Sequence, residues 1–218
     1  MEPIITLPSA SLKAALLFAP ESDISYYLNG VHVECTRGGD VHVIATDGNA
    51  IFVHKETKAQ VARPGPWAIT LARASLAKLL KDKASTIIVS STESGYAVGD
   101  GQGASIQFAP VEGKYPDWRR VLPRRSAMNG QASLYSTALL AAAGKALAIV
   151  DDLPASAGAY HGELHQNGDA PGVVVGKTEN TVVAIAPRRI TTENPMASDW
   201  FVPAALDAPA EPAFDDLA

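Results

Sequence analysis

ITLPSASL at Ile5 to Leu12 and ITLARASL at Ile69 to Leu76 agree at six of eight positions, 64 residues apart. Each phrase reads as a short strand that runs directly into a helix. A looser copy, ASLYSTAL at Ala132 to Leu139, follows at an offset of 63. A chain that spells one strand-to-helix corner three times is built of repeated units.

Working outward, the first unit places a strand at Pro3 to Leu7. A helix capped by Ser9 or Ser11 then runs through LKAALLFA until Pro20 stops it. Two alternating runs follow, SYYLNGVHVECTR and VHVIATDGNAIFVHK, with Gly38-Gly39-Asp40 as the turn between them. The second unit repeats the order: WAITLA is a strand, ASLAKLLKDK a helix, and TIIVSST, GYAVGD and ASIQFAPV are strands joined by glycine-rich turns. The third begins at ASLYS, continues through the helix TALLAAAGKALAIV, and offers AYHGELHQ, PGVVVGK and TVVAIAPRRI as strands. This predicts an α+β fold of repeated strand-helix-strand units, helices on one face of antiparallel sheets. The expected divisions are 1–123, two units in one pseudo-symmetric domain; 124–190, a shortened domain with one recognisable unit; and 191–218, an acidic Pro/Ala-rich tail.

The chain is 47% hydrophobic and 19% charged, which is ordinary for a globular protein, and Cys35 is its one cysteine, so no internal disulfide is possible. No basic residue precedes the apolar ones in MEPIITLPSASLK, and Lys145 interrupts the longest apolar run, so a cytoplasmic protein with no membrane span is expected. The formal charge is −5, but Glu193, Asp199, Asp207, Glu211, Asp215 and Asp216 lie in the last 28 residues, which contain no Lys or Arg. The rest of the chain is therefore near neutral. Four prolines in that tail oppose regular structure, and its Trp200, Phe201 and Phe214 read either as a docking motif or as locally packed aromatics.

No pattern specifies catalysis. GxSxG is absent and no acids are paired in a hydrolase context, so no catalytic residue, cofactor or metal is expected. GDGQGAS at Gly99 to Ser105 joins two strands and opens no helix, which makes it a hairpin turn and not a phosphate cradle. His161 and His165 in HGELH fall four apart on a strand, roughly 13 Å from each other, too far to close on one ion. On the second helix Leu76, Leu79 and Leu80 share one side, with Arg73, Lys78 and Lys81 roughly opposite. EGKYPDWRRVLPRR, Glu112 to Arg125, sets five cations among Tyr115 and Trp118, with Pro116 and Pro123 favouring extended backbone. It reads either as a rigid linker with local ion pairs or as a basic, aromatic nucleic-acid surface.

KYPDWRRVLP also resembles the segment that ends the middle domain of bacterial sliding clamps, the beta subunit of DNA polymerase III. ISYYLNGVHVE and VIATDGNAIFV resemble two further segments of that domain in the same order, and TVVAIAPRRI resembles the clamp's last strand. The resemblance implies a non-enzymatic, DNA-binding processivity factor for DNA replication, in which inward helices surround duplex DNA and contact phosphates without reading bases. Arg73, Lys78 and Lys81, with Lys13 and Lys145, are then the expected DNA contacts. The family's partner-peptide pocket maps to Leu28, Thr46, Gly48, Ile51, Pro123, Ala184, Ala186 and Pro187. Tyr26 and Tyr27 fall at its rim, near DNA, or in plain strand packing.

The sequence departs from the family where ATDGNAIF places Asn49 and Ala50 in the positions of a histidine and an arginine. The family's N-terminal domain has no counterpart, and the last retains one unit of two. A shortened clamp of phage or mobile-element type is expected. Its partners are duplex DNA and a DNA polymerase or other replication proteins, and it is expected to act as a homo-oligomeric ring of three or four chains or to associate with another clamp. The alternative is a clamp-derived adaptor or decoy that binds replication proteins without encircling DNA. The acidic tail is expected to regulate access to the basic helix face or the pocket.

Overall fold

Both copies of the opening phrase make the same corner. In the computed structural model, β1 (Glu2–Pro8) runs without a break into α1 (Ser9–Ala15), and β6 (Trp67–Ala72) into α2 (Arg73–Leu79). The hinge residues Pro8 and Ala72 have nearly equal dihedrals, φ −58° and ψ 137° against φ −58° and ψ 128°. Matching letters occupy matching environments: Ile5 and Ile69, Leu7 and Leu71, and Leu12 and Leu76 are all buried. Each such side chain contributes about 1.5–3 kcal/mol by leaving water. The phrase recurs because one strand-to-helix corner, with both its apolar ends sunk in the core, is built twice.

Residues 1–21, 28–81, 84–109, 111, 113–154 and 162–188 are described, and Met1–Arg188 forms one unit by its contacts. Tyr26, Tyr27, His161 and the tail from 189 onward lie outside the described residues. The remaining strands are β2 (Gly30–Cys35), β3 (Val41–Thr46), β4 (Ala50–Lys55), β5 (Gln60–Val61), β7 (Thr86–Thr92), β8 (Gly95–Gly99), β9 (Ser105–Phe108), β10 (Glu163–His165), β11 (Gly172–Val175) and β12 (Thr181–Ile185), with α3 at Thr137–Val150.

Three local expectations need correction. Neither Ser9 nor Ser11 caps α1: Ser9 is already helical, and the Ser11 hydroxyl donates back to the Pro8 carbonyl at 3.0 Å. The helix stops at Ala15, because Leu17 and Phe18 bond three residues back and tighten the chain into turns before Pro20. The third phrase has its helix but no strand. Around Leu134 the backbone makes only isolated bonds, such as Arg188 N–H to Leu134 O at 2.7 Å, and forms no ladder.

The two units interlock through their first strands. β1 leaves its own unit to pair antiparallel with β7, giving a five-stranded sheet in the order β5-β1-β7-β8-β9. β6 makes the reciprocal move onto β2, in a seven-stranded sheet ordered β10-β11-β12-β4-β3-β2-β6. The third unit's strands extend that second sheet, with β12 antiparallel to β4 and Ala184 opposite Ile51. What read as a single run, VHVIATDGNAIFVHK, is two strands. Asp47 caps the turn by accepting from the Asn49 and Ala50 N–H groups at 2.9 and 2.8 Å, and Gly48 takes φ +84°.

The main core gathers residues of α1, α2 and α3 and the inner faces of both sheets, among them Leu12, Val43, Phe52, Leu76, Leu147 and Ile185. The seven-stranded sheet is buried on its second face too. Alternate residues Ile44, Ile51, Val53 and Ala184 point away from the helices into a separate cluster with Leu28 and Tyr115. That face is roofed by residues 113–123, an arch that carries a 3-10 turn at Trp118–Arg120. Among the described residues no helix is long and apolar enough to cross a membrane.

Candidate functional site

The helices carry the expected cations unequally. Lys78, Lys81 and Lys145 are exposed and Lys13 is half-buried. Arg73 does not join them. Its guanidinium turns back to donate to the carbonyls of Leu16 and, at 2.7 Å, Ala19, and it approaches Glu21 at 3.5 Å. The carbonyls at the end of α1 are a partial negative pole, so Arg73 serves as a clasp between the first helix and the second.

On the opposite face of the seven-stranded sheet the structure brings Leu28, Ile51 and Ala184 into one cluster, closed over by Tyr115. Thr46 adjoins it, buried, its hydroxyl donating to Ala50 O at 2.7 Å. Gly48 and Ala186 are exposed at the margin, and Ala186 N–H donates to Asn49 O at 2.8 Å, fastening the Asp47–Ala50 turn to the end of β12. Pro187 is half-buried beyond it. Pro123 is elsewhere, on the wall of a neighbouring groove.

The arch is held down by ring contacts and one half-buried ion pair. Tyr115 lies on His32 with ring centroids 4.3 Å apart, and Trp118 on His42 at 5.2 Å. Arg119 lies over the Trp118 ring at 4.1 Å and pairs with Glu34. Asp117 accepts from the Arg119 N–H at 3.3 Å and so caps the 3-10 turn. Burial works to raise the Glu34 carboxyl, but its contacts with His42 and Arg119 outweigh this and bring it down to about 2. Burial also lowers His32 to about 4, keeping that ring neutral, and pushes the Tyr115 phenol up. The ion pair links residues 85 apart, so the arch is bonded to β2 and not to itself.

A second polar knot sits where α1, β4 and β12 meet. His54 Nδ1 lies 2.7 Å from Thr181 Oγ1 and its Nε2 lies 3.4 Å from Glu56, whose carboxylate also accepts from Lys58 N–H at 2.8 Å. Burial raises the Glu56 carboxyl, and these bonds more than reverse it. The knot is satisfied within the fold, which fits a structural role. Glycine-rich Gly99 to Ser105 is a hairpin turn between β8 and β9, with Asp100 accepting from Gln102 and Ala104 N–H groups. His165 sits on β10, 3.4 Å from Glu163, and no group of three or more metal-ligating side chains occurs among the described residues.

One feature was not anticipated from sequence. A groove of about 670 Å³ lies between residues 123–128 and the outer face of β10–β12. Val173, Val175 and Val182 line it, together with Arg125, Met128, Glu163 and Glu179. The signal was present in GVVV and TVVAI, where apolar residues occupy both alternating sets.

No family model matches the chain. It is 30% identical over 128 residues to the beta sliding clamp of Escherichia coli K12, a match spanning 55% of this chain and 33% of that protein; the Escherichia coli O157:H7 clamp gives the same figures. The chain thus spans about a third of the length of these curated relatives. Among solved structures, the Helicobacter pylori beta clamp bound to a DNA ligase peptide aligns with TM-score 0.66 at 11% identity, covering 87% of this chain and 67% of that one. The Caulobacter crescentus beta clamp aligns with TM-score 0.64 at 15% identity (87% and 66%), and a Pseudomonas aeruginosa sliding clamp with 0.62 at 16% (86% and 66%). Two interlocked antiparallel sheets backed by helices, superposable on these chains over most of their length here, give this protein the fold of the bacterial beta sliding clamps.

Proposed function

We propose that the chain is a shortened member of the sliding-clamp family, of phage or mobile-element type, that acts in the cytoplasm as a non-enzymatic processivity factor. It holds duplex DNA without sequence preference and recruits a polymerase or other replication protein. The observation that carries the reading is the repeated corner: two copies of one phrase fold identically and set helices against two sheets in the clamp arrangement. On this reading Lys13, Lys78, Lys81 and Lys145 meet phosphates as point charges, which suits sliding. Tyr26 and Tyr27 are assigned to the same region or to the pocket rim. The partner pocket is built around Leu28, Thr46, Gly48, Ile51, Ala184, Ala186 and Pro187. Three or four chains close the ring, because each chain supplies three recognisable strand-helix units and its structural match covers 67% of a clamp chain.

A clamp-derived adaptor that does not encircle DNA is the second reading. The commitment of Arg73 to the carbonyls of Leu16 and Ala19 favours it, because it removes one expected phosphate contact. Light scattering coupled to size exclusion separates the two. A stable trimer or tetramer supports the ring, and a strict monomer with undiminished partner binding supports the adaptor.

A further inference from the structure

The first two units trade strands in both directions, and the third is left without a counterpart. β2, the first described strand after α1, pairs with β6, and β7, the first described strand after α2, pairs with β1. β10 holds the same place after α3, yet it ends the seven-stranded sheet with β11 as its one neighbour among the described residues. The donor side is unmatched too. Residues 132–136 stand where β1 and β6 stand in the other two copies of the phrase, and they form no ladder. Isolated bonds hold this segment at the end of its own sheet: Gly168 N–H donates to Gln131 O at 2.9 Å and Arg188 N–H to Leu134 O at 2.7 Å. β1 is tied to its own unit in a similar way, since Ile4 O accepts from Ala62 and Arg63 N–H at 2.9 and 3.0 Å, and it still pairs with β7. Apolar surface is left uncovered beside the gap. Leu134 and Leu153, which bracket α3, are 36% and 37% exposed. Only Ala143, Ala146 and Leu147 are buried among the 14 residues of α3, whose one charge is Lys145, whereas α1 buries Ser9, Ser11, Leu12, Ala14 and Ala15 out of 7.

We infer that the third unit is half of a domain, completed by the third unit of a second copy of this chain, with residues 132–136 of each copy seated against β10 of the other. Continuity with the exchange already built between the first two units commits the site to that occupant. Units that share the opening phrase give each other their first strands, and the sister that matches the third phrase is the same segment of another chain. Each copy brings one donor segment and one open edge, so two copies satisfy each other about a twofold axis and leave neither edge bare. The residue types allow it. Residues 132–136 are uncharged, and β2, which carries His32 and Glu34 much as β10 carries His165 and Glu163, is covered by β6. An even number of chains follows, which selects four over three for a closed ring. That selection rests on the ring reading, and the pairing itself does not.

Sedimentation equilibrium of the full chain without DNA should show a dimer or an even multiple of it. Leu134→Pro and Leu134→Asp, both at an exposed position of the donor segment, should each weaken association at least about tenfold, because one removes a backbone donor and the other sets a charge in the new ladder. In hydrogen exchange read by mass spectrometry, residues 163–165 of the parent chain should exchange at least about tenfold more slowly where the dimer predominates than after dilution to monomer. A strict monomer, a trimer, association that ignores both Leu134 variants, or equal exchange of residues 163–165 in monomer and dimer would overturn the inference. So would a mixed complex with the Escherichia coli beta clamp that forms in preference to the homodimer. A dimer that circular DNA does not retain leaves the pairing standing and removes the ring, and a trimer that circular DNA retains does the reverse.

Discussion

Replacing Glu34 with Gln removes the half-buried charge that holds the arch to the sheet. The side chain of Glu34 is 16% exposed and that of Arg119 49%. The carboxyl sits at about 2 against an ordinary 4.5. That difference would convert to roughly 3 kcal/mol if unscreened, and water around the half-exposed guanidinium reduces it to about 1–2 kcal/mol. Because the folded-state value is depressed, the stabilisation is complete above 4.5 and is lost as pH falls through that value toward 2. Urea unfolding of the parent and Glu34→Gln, followed by tryptophan fluorescence, should therefore differ by about 1–2 kcal/mol near neutrality and by less than about 0.5 kcal/mol near pH 2.5. A difference of the same size at both pH values, or none near neutrality, would refute the electrostatic clasp.

Other residues yield sharper contrasts. Arg73→Met should destabilise the fold by about 1–3 kcal/mol in denaturant titration, since it strands two carbonyls near α1, while changing DNA affinity less than Lys78→Ala. Lys78→Ala and Lys81→Ala should leave stability within about 0.5 kcal/mol and flatten the salt dependence of DNA binding by about 0.9 per lost contact, read from filter binding across salt concentrations. Gly172→Ala would place a Cβ 2.3 Å from the Tyr135 hydroxyl, so thermal unfolding should show a loss of about 1–3 kcal/mol that Tyr135→Ala partly relieves in the double variant.

Much of the architecture was legible because it rests on short-range rules. The corner at Pro8 and Ala72, the strands of the second unit and the hairpin at Gly99 to Ser105 follow from local alternation and turn chemistry. The exchange of β1 and β6 between units was not legible, because pairing partners are chosen by packing of distant residues. The role of Arg73 was hidden for a similar reason. On a helical wheel it is a surface cation, and only the position of residues 16–19 makes it an internal donor. Tyr115 and Trp118 looked available in sequence, and the histidines that occupy them come from β2 and β3, over seventy residues earlier. The groove over β10–β12 needed three non-consecutive segments to exist at all.

The central claim is that helix lysines, and not the arch, face duplex DNA. Acetylation of the chain by a limiting reagent, with and without duplex DNA, reports each lysine by mass spectrometry. The account predicts protection of Lys13, Lys78, Lys81 and Lys145 with Lys114 unchanged. Protection of Lys114 with the helix lysines fully reactive would contradict it.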